Sequence, residues 1–289
     1  MSTLFLVATP IGNLDDISAR ALKVLREVSL IAVEDTRRAK KLLSRYDIHT
    51  PIDSYFEYNK LVKLPAVLAK LSEGDVALIS DAGTPGLNDP GFELVRAAIA
   101  AGHTVSPIPG PCAPVAALVA SGLPADKFLY LGYLPRRHQE RKRLLQEIKD
   151  LPYTLVFLEV PHRILASLVD LKEILGDRPA GIGREITKLH EEFFRGALSQ
   201  ALAHFNAQPP RGEFTLVIAG NQPQPERWSV SELKAYLENR LSEGATPSDA
   251  ASQAASLSGW RRREIYAFFT AQKSGASKNK QELTKASNA

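Results

Sequence analysis

Short apolar runs of β-rich composition alternate with helix-period patterns from the N-terminus to about residue 130: Leu4 to Ala8, Leu30 to Val33, Val76 to Ser80 and Thr104 to Ile108. Strands separated by helices predict a mostly parallel sheet, because parallel neighbours need a crossover. One such crossover is expected over Asp16 to Glu27, where Ile17, Ala21, Val24 and Leu25 form one apolar stripe and Asp15 or Asp16 is placed to cap the first turn. A second alternation follows, with a basic helix near Arg137 to Leu151, a strand Thr154 to Glu159, a helix after His162, and strands near Ala180 to Gly183 and Phe214 to Ala219. Asn221-Gln222-Pro223-Gln224-Pro225 reads as a stiff polar linker. Beyond it, Thr246-Pro247 starts a helix, Ser258-Gly259 breaks it, and Trp260 to Phe269 starts another, a helix-turn-helix-like pair. The tail from Ser274 offers little to bury and is expected to be disordered. The expected fold is α/β: two α/β domains, residues 1–122 and 123–222, and a helical module with a basic tail at 223–289.

Composition narrows the class. The chain has 289 residues, 44% of them hydrophobic, enough for two packed α/β domains. No apolar run reaches the length of a membrane span, and the chain opens on a strand pattern without a basic leader; a cytoplasmic, non-membrane protein is expected. The single cysteine, Cys112, excludes an internal disulfide framework and a cysteine-rich zinc site. The net charge of +4 is modest, but the cations cluster: Arg136 to Lys149 holds six basic residues against two acidic. Such a cluster is either a solvated helix face or a polyanion contact.

Three Gly/Pro-rich loops follow predicted strands of the first domain. They are Ala8-Thr9-Pro10-Ile11-Gly12-Asn13-Leu14, Ser80-Asp81-Ala82-Gly83-Thr84-Pro85-Gly86-Leu87-Asn88-Asp89-Pro90-Gly91, and Pro109-Gly110-Pro111-Cys112-Ala113-Pro114. Open α/β sheets bind ligands at the carboxyl ends of their strands, where these loops fall. Glycine admits close backbone approach and proline fixes the loop, so main-chain contacts to a nucleoside-like ligand cost little ordering. Any one of the loops could equally be a tight connection.

These segments resemble the tetrapyrrole methylase superfamily, and within it the bacterial enzymes that methylate a ribose 2′-oxygen of a cytidine in small-subunit (16S) ribosomal RNA. The resemblance rests on Thr9 to Leu14, Val33 to Arg37, Ser80 to Gly91, Gly132 to Arg136, Pro161 to Arg163 and Arg184 to Gly196. It implies two α/β domains around a cleft for S-adenosylmethionine, a homodimer, and a C-terminal module that assists binding of RNA within the small ribosomal subunit. Two positions depart from the family's pattern, Cys112 and Val160, each standing where serine is expected. By the resemblance, cofactor contacts fall to Pro10, Asp81, Gly83, Thr84, Leu87, Cys112 and Ala113, with Glu159 and Phe214 from the second domain.

A sulfonium methyl is already electrophilic, so the protein's task is to hold a hydroxyl in line with it and to remove a proton. Asp35 is the first candidate base and Glu34 the second; beside Arg37 and Arg38 the pair could equally be a surface ion-pair cluster. Arg37, Arg38, Arg163, Arg184 and Lys188 are expected on RNA phosphates, with longer-range attraction from Arg136, Arg137, Arg141, Arg261, Arg262 and Arg263. No metal ligand set is visible around His162, and none is expected to be required. Two other readings stand beside this one: a methyltransferase acting on a small tetrapyrrole, and a non-catalytic nucleic-acid-binding regulator. The appended basic module argues against the former and the three loops against the latter.

Overall fold

The computed structural model describes residues 2–207, 209–221 and 227–267. Its first sheet holds β1 (Thr3–Val7), β2 (Leu30–Val33), β3 (Ile52–Ser54), β4 (Val76–Ile79) and β5 (Thr104–Ile108) in the order β3-β2-β4-β1-β5. Every pairing in it is parallel. β2 and β4 are buried at all four positions, which explains their unbroken apolar runs: a parallel strand covered on both faces has no polar side. The covering helices are α1 (Ala19–Glu27), α2 (Thr36–Arg45), α3 (Lys60–Glu73), α4 (Phe92–Ala100) and α5 (Ala113–Ala120). Ala21, Val24 and Leu25 of α1 join one core cluster, as their stripe predicts. The expected start is corrected: Leu14–Asp16 is a separate 3-10 turn, and Ser18, whose side chain accepts from the Ala21 amide, caps α1 in place of Asp15 or Asp16. β3 was not foreseen, having only three residues, two of them polar.

The second sheet contains β6 (Phe128–Tyr133), β7 (Thr154–Glu159), β8 (Pro179–Arg184), β9 (Glu192–Ala197) and β10 (Phe214–Ile218), ordered β6-β7-β10-β8-β9. Only β6 and β7 pair in parallel; the rest is antiparallel. Helices α6 (His138–Ile148), α7 (Ile164–Leu175) and α8 (Leu198–Asn206) pack on it through a single large core. Met1–Asn221 forms one compact unit and Gln222–Ala289 a second. Within the first unit α5, the helix after β5, packs on the second sheet: Ala117 and Leu118 meet Val156 of β7 and Val217 of β10.

In the second unit, α9 (Val230–Ser242) and α10 (Pro247–Leu257) enclose Leu233, Leu237, Ala250, Ala251, Ala254 and Ile265. Thr246 caps α10 as its sequence suggests, and residues 262–267 are helical. α9 had escaped notice, although Ser229 and Glu232 form a reciprocal capping box that is written in the sequence. Gln222 to Pro225 of the expected linker, the end of the helix expected to run to Phe269, and the tail from Ser274 lie outside the described residues. No helix among the described residues is long and apolar enough to cross a membrane.

Candidate functional site

Strand order explains why the loops meet. β2, β4, β1 and β5 are consecutive neighbours, so the segments after them emerge side by side at the carboxyl edge. The first two loops are stitched by a two-way bridge, with the Thr9 amide donating to Gly83 O at 2.9 Å and the Gly83 amide to Thr9 O at 3.0 Å. The Thr84 hydroxyl then reaches Pro111 O of the third loop at 3.3 Å. Gly83, at φ +81, sits in the left-handed region that glycine enters without strain.

These loops and the second sheet enclose a cavity of about 280 Å³, at the lower edge of the usual size of small-molecule sites. Asp81, Gly83, Thr84, Leu87, Cys112, Ala113, Glu159 and Phe214 all line it, as do Glu34, Arg38 and Lys188. Pro10 does not. It lines a second cavity of about 360 Å³, whose walls also include Asp35, Lys41 and Leu42. Glu34, Arg38 and Asp81 line both cavities and so form their common wall.

A hydrogen-bond network holds that wall. The Asp81 carboxylate accepts from the Asp35 amide at 3.0 Å and pairs with Arg38 at 3.2 Å, while the Asp81 amide donates to Glu34 at 3.4 Å. The neighbouring carboxylates then diverge. Asp35 caps α2, accepting from the Arg37 amide at 2.8 Å and from its guanidinium at 3.2 and 2.8 Å. The Arg37 side chain and amide bonds hold its carboxyl down at about 2. Glu34 has no such clamp, and burial, reinforced by Asp81 and Asp35, outweighs the Asp81 amide bond and raises its pKa.

The balance of charge in the first cavity is informative. Arg38 is held by Asp81, Lys188 lies between Glu185 at 2.8 Å and Glu213 at 3.0 Å, and Glu159 is paired with Arg163. Burial alone would lower the Lys188 pKa, but hydrogen bonds to these two carboxylates raise it overall. Among the described residues neither Glu34 nor Asp89 forms an ion pair, although Arg38 attracts Glu34 weakly enough that burial prevails. Burial, with repulsion from Glu34 and Asp81, pushes Asp89 up to about 6. A cavity with two uncompensated carboxyls suits a cationic ligand, and a sulfonium is one. The first turn of α5, whose cap residue Cys112 makes no side-chain cap bond, brings the Ala113 amide to the same wall, where it suits a carboxylate. The residues therefore fit a nucleoside-bearing sulfonium amino acid.

The family model for tetrapyrrole (corrin/porphyrin) methylases matches residues 3–202. The chain belongs to this family. Among curated proteins it is 46% identical over 270 residues to "Ribosomal RNA small subunit methyltransferase I" of Synechocystis, covering 92% of this chain and 96% of that one. The protein of the same name from Bacillus subtilis is 40% identical over 272 residues, covering 92% and 93%. Among solved structures, diphthine synthase aligns with a TM-score of 0.60 at 14% identity, over 76% of this chain and 90% of that one. Uroporphyrin-III-C-methyltransferase of Thermus thermophilus aligns with a TM-score of 0.51 at 20% identity, over 75% and 94%. At such identities these structures speak for the methylase fold alone.

Several expected RNA contacts of this family member need correction. Arg141 is buried, its guanidinium on Asp170 at 2.5 Å with side-chain exposures of 6% and 3%, so it cannot attract a polyanion. Arg163 is mostly buried against Glu159, which also accepts from Ser167 at 2.5 Å and the Val160 amide at 2.8 Å. Glu159 thus lines the cavity with its carboxylate already bonded toward α7. Arg184 pairs with Glu192 at 2.7 Å and Lys188 is held as described, which leaves both weak candidates for phosphate. Arg37, Arg38, Arg136 and Arg137 are exposed, Arg137 bridging to Glu140 at 3.2 Å. In the second unit Arg261, Arg262 and Arg263 are exposed, with Arg262 bonded to Ser248 at 3.0 Å. His162 is exposed and lines neither cavity. Among the described residues no group of three or more His, Cys, Asp or Glu side chains could hold a metal ion.

Among the cavity residues that sequence reasoning left unassigned, four bear on the chemistry of the site. Asn88 and Asp89 stood unassigned inside the motif from Ser80 to Gly91 and Tyr133 inside that from Gly132 to Arg136, while Tyr130 lies on β6, a strand the sequence reading did not include. Asn88, at φ 64, accepts from the Tyr130 hydroxyl at 2.5 Å. Gly132 is required beside it, since a Cβ there would strike the Asn88 side chain. The alternation in Phe-Leu-Tyr-Leu-Gly-Tyr was the available signal for that strand.

Proposed function

We propose that this chain methylates a ribose 2′-oxygen of a cytidine in small-subunit ribosomal RNA, using S-adenosylmethionine. The observation that carries the reading is identity of 46% across nine-tenths of the chain to a ribosomal RNA small subunit methyltransferase. The choice of cytidine and of the 2′-oxygen rests on the motifs from Thr9 to Gly196.

Asp81, Gly83, Thr84 and Leu87 of the second loop, with Cys112 and Ala113 at the head of α5, would hold the cofactor. When bound, it supplies a methyl group on a sulfonium; the electron pair of the broken S–C bond stays on sulfur as the new O–C bond forms. Glu34 and Asp89, neither of them in an ion pair among the described residues, favour the positive charge. For the proton of the hydroxyl, Glu34 is the better acceptor. Its raised pKa brings it nearer neutrality, whereas Asp35 is doubly committed to Arg37 and holds its proton only near pH 2. Glu34 would take the proton from the ribose oxygen and release it to solvent. Exposed Arg261, Arg262 and Arg263 give the second unit a role in RNA attraction. For self-association as a dimer, exposed Tyr58, Leu61 and Val62 offer apolar surface.

The test is incubation with methyl-labelled S-adenosylmethionine and, separately, small ribosomal subunits, naked ribosomal RNA and a tetrapyrrole, followed by nucleoside analysis. Label in 2′-O-methylcytidine of the small-subunit RNA is expected. Label in the tetrapyrrole, or in a base, would overturn the assignment.

A further inference from the structure

Transfer in line requires the accepting oxygen within about 3–3.5 Å of the methyl carbon, so the acceptor must sit against a wall of the donor cavity. The second cavity shares such a wall, formed by Glu34, Arg38 and Asp81. It also runs along α2, and the composition of that helix is unusual. Arg37, Arg38, Lys40, Lys41 and Arg45 are five exposed cations among ten residues, with no acidic residue inside the helix. Arg37 and Arg38 are spoken for by Asp35 and Asp81, but Lys40, Lys41 and Arg45 make no ion pair among the described residues. Arg37, Lys41 and Arg45 recur every four positions and so lie in one row, about 12 Å long at the helical rise. Lys41 itself lines the cavity.

Given the methyl-transfer reading above, we propose that the second cavity is the acceptor site. It takes one unstacked nucleotide, its sugar against the Glu34–Asp81 wall and its flanking phosphates on Lys41, Lys40 and Arg45. The cavity is small-molecule sized and could not admit a helix, so the nucleotide must be turned out of its stack, as in other enzymes that act on a nucleotide's inner atoms. Pro10, Leu14 and Leu42 provide the apolar surface for the base. Pro10, expected on the cofactor, is thereby reassigned to the acceptor.

Two variants test this, each assayed for methyl transfer to small-subunit RNA across a salt series and for binding of S-adenosylhomocysteine by calorimetry. In the first, Lys40→Ala, Lys41→Ala and Arg45→Ala are combined; in the second, Leu14→Trp fills the cavity from its exposed side. For the triple variant the account predicts KM for RNA raised at least tenfold and a slope of log KM against log salt reduced by about 2, as expected for three lost phosphate contacts on a single strand. For Leu14→Trp it predicts a loss in kcat/KM of at least tenfold. In both, affinity for the thioether stays within twofold of wild type, and arginine in place of Lys40 and Lys41 restores KM. Wild-type KM and salt slope in the triple variant, or thioether binding lost in Leu14→Trp, would overturn the acceptor assignment while leaving RNA methylation intact. Absence of transfer to RNA by the wild-type protein would instead remove the functional reading on which it rests.

Discussion

α2 and α6 look alike in sequence: each is a short helix crowded with arginine and lysine. In the folded chain they carry their charge differently. On α6, Arg141 is sunk against Asp170, Lys142 reaches Glu173 at 2.7 Å, and Arg143 reaches Glu147 at 3.2 Å. On α2 the pairings fall at the first turn, leaving Lys40, Lys41 and Arg45 exposed and without an ion pair among the described residues, with Lys41 on the wall of the second cavity. A run of basic residues therefore says little about polyanion binding until the acids that face it are known, because a paired cation has little potential left to offer. The same distinction separates Glu34 from Asp35. They are chain neighbours at one sheet edge, one unclamped and shifted up, the other clamped and shifted down.

The sharpest way to break this comparison is at the two carboxylates. Glu34→Gln should lower kcat by about 10²–10⁴, the usual worth of a general base, whereas Asp35→Asn should stay within about tenfold of wild type. Single-turnover rates decide it, and equal losses would erase the distinction. In the wild-type protein the rate should also decline as pH falls through the raised Glu34 pKa, since only the ionised carboxylate can take the proton.

Next in size is Arg141→Ala. It leaves buried Asp170 with only the His138 ring, at 3.1 Å, so urea unfolding should show a loss of about 3 kcal/mol, while folded protein keeps the wild-type salt slope for RNA. A changed salt slope with unchanged stability would return Arg141 to the RNA. By contrast, Lys142→Ala with Arg143→Ala removes only exposed pairs, so KM for RNA should move less than twofold and stability by under about 1 kcal/mol.

A comparably small effect, visible only at one end of the pH range, concerns Asp89. Its carboxyl binds a proton more tightly in the folded chain than in the unfolded one, so the ionised form costs stability, and that cost grows as pH rises from 3.8 to about 6. Asp89→Asn should accordingly stabilise the protein by on the order of 1 kcal/mol at pH 8, a figure reduced for the partial exposure of the group, and not at pH 4. Thermal melts at the two pH values check the difference.

Much of the first sheet was legible because buried parallel strands announce themselves: β2 matches its apolar run end to end, and β4 ends one residue short of the expected Ser80. β3 and β9 were not, for Ile52–Ser54 is too short to show a period, and Glu192–Ala197 is half-exposed with an adjacent pair of phenylalanines that breaks alternation. Eight of the nine expected cofactor positions line the first cavity, because loop position at a strand's carboxyl end is fixed by topology. Side-chain partners are not fixed that way. Nothing local to Arg141 or Arg163 discloses Asp170 or the burial of Glu159, and nothing local to Lys41 discloses that it forms no ion pair among the described residues.

The central claim is that donor and acceptor meet across the wall of Glu34, Arg38 and Asp81. A crystal of the protein with S-adenosylhomocysteine addresses it most directly. The account predicts thioether sulfur beside that wall, with the adenosine on the loops from Asp81 to Leu87 and at Cys112–Ala113, and the second cavity open opposite the sulfur. Adenosine in the second cavity, or a sulfur turned away from Glu34, would contradict it.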